Sequence, residues 1–107
     1  MIAVLFEAWP SAEHGDRYLL LAAALKDELE QIDGFIAVER FQSLSDPGKL
    51  LSLSLFRDEA AVRAWRETPS HRAAQAQGRA SVFQDYRLRV AQVTRDYGPR
   101  DRAQAPG

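Results

Sequence analysis

Apolar and polar residues alternate from Ile2 to Trp9. Ile2, Val4, Phe6 and Ala8 lie on one side, and Ala3, Leu5, Glu7 and Trp9 on the other, the period of two that marks a β-strand. Both sides are largely apolar. The period then changes: Tyr18, Leu21, Ala22, Leu25, Leu29 and Ile32 recur at helical spacing, which predicts an amphipathic helix. Asp16 is placed to cap its start, and Gly34 suits a left-handed terminus after its end. Phe35–Leu44 reads as a second strand. Asp46-Pro47-Gly48-Lys49 fits a type II turn into a third strand, Leu50–Phe56, whose Leu51, Leu53 and Leu55 share one face. Asp58 is a cap for a helix through Glu67 that presents Val62 and Trp65. Thr68-Pro69 restarts a helical piece as far as Arg79, because threonine caps well and proline is tolerated at the first helical position. Gln84–Tyr97 alternates as the last strand, with Tyr86, Leu88, Val90 and Gln92 set against Arg87, Arg89, Ala91 and Val93.

The order strand, helix, strand, strand, helix, strand is the split βαβ pattern. It predicts an α+β chain of ferredoxin-like βαββαβ topology, a four-stranded antiparallel sheet with its helices on one face. Such a sheet has a second, open face. The first strand puts bulky apolar residues on both sides, so water alone would leave an apolar patch larger than a soluble monomer tolerates. A homodimer joined through sheet faces is the simplest cover. The 107-residue length allows one domain, over residues 1–97, followed by a Pro/Gly-rich polar tail, 98–107, expected to be mobile.

Fourteen basic against fifteen acidic residues give a net charge of −1. No positive field gathers phosphates, so nucleic acid is not an expected partner. The longest apolar run, Tyr18–Leu25, is well short of the roughly 20 residues of a membrane-spanning helix. The N-terminal MIAVLFEAWP carries no basic leader and reads as strand. The chain contains no cysteine, hence no disulfide, thiolate nucleophile or zinc–thiolate site, and a cytoplasmic location is expected. The two histidines, His14 in a polar loop and His71 on a helix, lack metal-ligand spacing, so no metal is expected.

From Ala64 to Tyr97 the chain, AWRETPSHRAAQAQGRASVFQDYRLRVAQVTRDY, resembles the antibiotic biosynthesis monooxygenase family, one branch of the dimeric α+β barrel proteins. Tyr18, Gly34-Phe35 and Glu39-Arg40-Phe41 extend the resemblance upstream. It implies a dimer whose sheets face each other, a pocket between sheet and helices in each protomer, and no organic cofactor. Across the family, activities range from cofactor-independent oxygenation of polycyclic phenols to haem degradation. The haem-degrading members use an Asn, Trp and His set. Trp65 matches the Trp, but the ligating His falls at Gln75 and the chain has no asparagine, so haem chemistry is not expected.

Candidate chemistry is sparse. Trp65 reads equally as an aromatic pocket wall and as a core residue. His71, Gln75 and Arg79 recur every four residues along one helix side, which is either a solvated face or, for His71, a proton acceptor at a pocket mouth. Glu7 would act as a base only if it pointed into the pocket. Arg40 reads as a cross-strand or edge charge. Two functions remain open: a cofactor-independent monooxygenase acting on a small aromatic phenol, quinol or anthrone-like molecule, with His71 and Trp65 as catalytic candidates and Trp65, Gln75, Arg79 and Glu7 as substrate-binding ones; or a non-catalytic, ligand-binding or stress-related dimer.

Overall fold

The computed structural model describes residues 1–11, 15–77 and 83–107. Seven elements follow one another: β1 Ile2–Pro10, α1 Gly15–Glu30, β2 Phe35–Gln42, β3 Leu50–Phe56, α2 Glu59–Arg66, α3 Pro69–Gln77 and β4 Phe83–Gln92. The sheet order is β2-β3-β1-β4, with every neighbouring pair antiparallel. This is the ferredoxin-like α+β arrangement that the order of elements predicts.

The register sorts side chains into rows across the sheet. Arg40, Ser52, Phe6 and Leu88 form one row, and Val38, Ser54, Val4 and Val90 the next. These rows face the helices. Ile2 and Phe56 continue the same face and pack with Leu29 of α1 and Ala61 and Val62 of α2 as the buried core, flanked by Val4, Ile32, Phe35, Val38 and Trp65. The opposite face carries Leu5, Glu7, Leu51, Leu53, Phe41 and Arg89, and no element among the described residues covers it. The thin dimension of 19 Å is that of one helix layer on one sheet, given a layer spacing of about 10 Å.

The helix boundaries have identifiable causes. Gly34 has φ +92°, so the chain leaves α1 through a backbone conformation that a Cβ would oppose. Asp58 is extended and accepts a hydrogen bond from the Ala61 N–H at 2.9 Å. The Thr68 hydroxyl accepts from the His71 N–H at 3.3 Å and donates to the Trp65 carbonyl at 2.9 Å. One side chain thus ends α2 and starts α3.

Four expectations need correction. Asp16 lies inside the first turn of α1, which begins at Gly15; there it still favours the unpaired N–H groups of the helix start. The 46–49 turn has its Lys49 N–H to Asp46 carbonyl bond at 3.1 Å, but Gly48 does not take positive φ, so the turn is not type II. The Asp46 carboxylate instead accepts from the Gly48 N–H at 3.0 Å, the local bond that Asp favours in turns. The second strand ends at Gln42, whose amide donates to the Ser43, Pro47 and Lys49 carbonyls at 3.1–3.2 Å. The last strand ends at Gln92, opposite Ile2, and the Val93 N–H closes onto the Met1 carbonyl. Beyond it, Gly98 bonds to Asp101 and Asp96 to the Gln104 side chain.

Candidate functional site

The core cluster fills one end of the space between helices and sheet. Beside it, bounded by its Leu29, Phe56 and Val62, the layers leave a cavity of ≈ 250 Å³, just under the usual range of roughly 300–1,000 Å³ for small-molecule sites. Its floor is the inward sheet face, from Val4 and Phe6 to Arg40, Ser52 and Leu88. Its roof is Tyr18, Leu21 and Leu25 of α1, and its end wall is Trp65, His71 and Gln75 of α2 and α3. Phe6, Tyr18, Phe83 and Tyr86 form an aromatic cluster with ring centroids 5.2–6.4 Å apart, all tilted or edge-on. That geometry favours the ring quadrupoles and presents rigid apolar edges to the space between them.

Trp65 and His71 are in contact, with ring centroids 5.0 Å apart at 55°, and Thr68 ties the backbones of both together. Burial pushes the His71 imidazole below its ordinary pKa, the Arg66 charge adding to this and its backbone opposing it. That shift favours the neutral imidazole, and its Nδ1 is buried without a hydrogen-bond partner. Tyr18 is 6% exposed. Burial raises its phenol pKa, while the neighbouring Arg40 and Ser52 act to lower it; neither closes a regular hydrogen bond to the hydroxyl. Arg40 is half-buried, and its Nε also lacks a partner.

Among the described residues only Tyr18 Oη, Arg40 Nε and His71 Nδ1 are buried side-chain polar atoms without a partner, and all three residues line this one cavity. An unpaired buried donor or acceptor costs about 1–3 kcal/mol. In a native fold such groups are met by water or by a bound ligand.

Of the residues singled out from sequence, Trp65, His71 and Gln75 come together at the cavity, and Arg79 lies outside the described residues, as does His14. Glu7 does not join them. It points to the open sheet face, where it pairs with Lys49 at 3.0 Å and Arg89 at 3.1 Å. The Lys49 hydrogen bond, reinforced by Arg89, holds its carboxyl below the usual range, the opposite of what a base would need. Tyr18, Arg40 and Ser52 belong to the cavity; in the sequence Tyr18 is one position of an apolar helix stripe, Arg40 reads as a cross-strand or edge charge, and nothing singles out Ser52. Among the described residues no group of three His, Cys, Asp or Glu side chains could hold a metal ion.

Residues 1–77 match the family model for antibiotic biosynthesis monooxygenase. A curated relative from Pyricularia oryzae, jasmonate monooxygenase ABM, is 51% identical over 94 residues, 88% of this chain. The chain spans 44% of that relative's length. Among solved structures, Rv0793 from Mycobacterium tuberculosis superposes with a TM-score of 0.81 at 18% identity, over 91% of this chain and 98% of that one. SnoaB, a cofactor-independent oxygenase from Streptomyces nogalater, superposes with a TM-score of 0.76 at 9% identity, over 89% of this chain and 94% of that one. The structural likenesses carry the fold, and the family model and the fungal relative carry the kinship: the chain belongs to the antibiotic biosynthesis monooxygenase family.

Proposed function

We propose that the protein is a monooxygenase that needs neither metal nor organic cofactor and oxidises a small cyclic substrate held in the cavity between α1, α3 and the sheet. The observation that carries this reading is the convergence of three unpartnered buried polar atoms, on Tyr18, Arg40 and His71, upon one aromatic-lined space. Trp65 is the flat wall. Gln75 is a further polar contact, and Arg79 a substrate-binding candidate on sequence grounds. Neutral His71 is the proton acceptor, a role that the lowered imidazole pKa supports.

In the reaction that suits such a site, the substrate supplies the electrons. A methylene made acidic by a neighbouring carbonyl or phenol loses a proton to His71, and the carbanion reduces dioxygen and forms a C–O bond. The resulting hydroperoxide loses its remaining C–H proton and eliminates hydroxide, so that CH₂ and O₂ become C=O and H₂O. The protein's part is to exclude water, orient the ring and hold the developing anion. Anthrones meet these demands directly, phenols and quinols through the keto tautomer that carries the ring CH₂, and the fungal relative's name adds jasmonate to the candidates.

The same proposal includes a cytoplasmic homodimer that covers the open sheet face. Supporting it, the accessible surface of 7432 Å² exceeds the roughly 6,000 Å² expected for a folded monomer of this mass. No helix among the described residues is long and apolar enough to cross a membrane.

Oxygen consumption in the presence of EDTA, with ¹⁸O₂ labelling of the product, tests the activity over a panel of anthrones, quinols and jasmonate. A positioned general base contributes about 10²–10⁴-fold, so His71→Ala is expected to slow turnover by that factor. Equal rates in wild type and variant would remove His71 from the chemistry. Silence on every substrate would favour the ligand-binding reading.

A further inference from the structure

The cavity is electrostatically one-sided. Lys26, Arg40 and Arg66 line it, and among the described residues no aspartate or glutamate does, although the chain as a whole carries a net charge of −1. The three cations are not equivalent. Lys26 and Arg66 are exposed at the mouth, where water and salt screen them. Arg40 is half-buried in the floor, in the row Arg40, Ser52, Phe6, Leu88, and no carboxylate among the described residues pairs with it.

A half-buried guanidinium without a counterion is costly, and unlike an ammonium or an imidazolium it cannot shed its charge near neutral pH. Its complement has to be an anion that is itself permanent at pH 7. A carboxylic acid ionises near pH 4 and a phenol near pH 10, so the carboxylate is the better match. Its two oxygens also fit the planar guanidinium fork. Tyr18 and Ser52 stand beside Arg40 with hydroxyls able to donate to the same group.

We infer that Arg40, with Tyr18 and Ser52, is a carboxylate anchor, and that the cavity takes small apolar monocarboxylates whose ring lies between Phe6, Phe83 and Trp65. This deepens the oxygenase reading by naming the substrate class, and rests on the same cavity. The carboxylate end is the specificity determinant. The reacting carbon then lies toward His71, away from the charge.

Binding, measured without turnover, tests the anchor separately from the chemistry. Isothermal titration calorimetry at pH 7 is run with matched acid and primary-amide pairs on naphthalene, cyclohexane and straight eight-carbon frames, 1-naphthaleneacetate and 1-naphthaleneacetamide being the first pair. Hydrogen bonds to a charged group are worth about 10- to 100-fold in affinity, so wild type should prefer the acid by that factor on at least one frame. Arg40→Gln should abolish the preference, Arg40→Lys should keep part of it, and exposed Lys26→Gln should change it by less than about threefold. Circular dichroism establishes that each variant is folded. Should Arg40→Gln not fold, Arg40→Lys and Lys26→Gln decide. Equal affinity for acid and amide on every frame would overturn the anchor, as would absence of binding throughout, an unchanged preference in either Arg40 variant, or loss of preference on changing Lys26 alone. Oxygen uptake could still succeed in each of those cases, so failure of the anchor is distinguishable from failure of the oxygenase.

Discussion

Gly34→Ala is expected to be among the most destabilising single-methyl additions in this chain. At φ +92° a non-glycine residue is strained, at a cost of roughly 1–2 kcal/mol. A Cβ built at this position also lies 2.8 Å from the Ala61 Cβ, closer than two methyl groups can approach. Ala61 is 3% exposed and belongs to the core cluster. It sits on the first turn of α2, held by the Asp58 cap, so it cannot swing aside as a long side chain would. Overpacking of a rigid contact adds roughly 1–3 kcal/mol. A total loss of about 2–5 kcal/mol, against the 5–15 kcal/mol typical of a whole domain, lowers Tm by roughly 10–35 °C. Urea and thermal unfolding read this directly. Ala61→Gly removes the clashing methyl at a helix-propensity cost of about 1 kcal/mol, so it should be at least about 1 kcal/mol less harmful beside Gly34→Ala than alone. A Gly34→Ala variant within about 0.5 kcal/mol of wild type, or strict additivity in the double variant, would refute the reasoning.

Three further outcomes are expected. Tyr18→Phe deletes a buried hydroxyl that has no partner, so urea unfolding of the ligand-free protein should find it between neutral and about 1 kcal/mol more stable, while ligand affinity falls; a loss of more than about 1 kcal/mol would mean that the hydroxyl is satisfied. Because burial depresses the folded-state pKa of His71, the unfolded chain binds more protons as pH falls past about 6.5, and stability is lost from there downward through the folded pKa. Urea titrations between pH 7.5 and 5.5 should show that loss in wild type and a smaller one in His71→Gln; equal losses would contradict the assignment. Finally, Leu53→Asp puts a charge in the middle of the open sheet face, opposite Leu5, and light scattering behind a sizing column should give a mass near 24 kDa for wild type and 12 kDa for the variant, whereas a 12 kDa wild type would remove the dimer.

The fold was legible in the sequence because its boundaries are local. Gly34, Asp58 and Thr68-Pro69 each act through a bond or a dihedral within three or four residues, and the β1 alternation needs no partner to be read. The cavity was legible where it is helical: His71 and Gln75 are four residues apart, and a helix carries such a pair on one side. On the sheet it was not. Counting alternately from Phe35, which packs against the core, puts Ala37, Glu39 and Phe41 inward and Arg40 outward. The register shifts between Phe35 and Ala37, and a bulge of one residue inverts every side chain beyond it. Arg40 therefore faces the cavity. Glu7 failed for a related reason, since alternation separates two faces of β1 without saying which one the helices cover. Tyr18 was hidden by its own ring, which fits an apolar helix stripe whether or not its hydroxyl has a task.

The chain's two tryptophans are divided between the two faces of the sheet. Trp9 is outside, its indole N–H bonded to Asp46 at 2.9 Å and Lys49 poised 5.1 Å from its ring centre, while Trp65 stands in the cavity wall against His71. Fluorescence from one chain thus carries two separable signals, one from the surface where a second copy would dock and one from the chamber where a small molecule would sit. Trp9→Phe leaves an emitter for occupancy alone, and Trp65→Phe one for assembly alone. Whether filling the chamber tightens the pairing of subunits then becomes a question that two spectra can answer without a label.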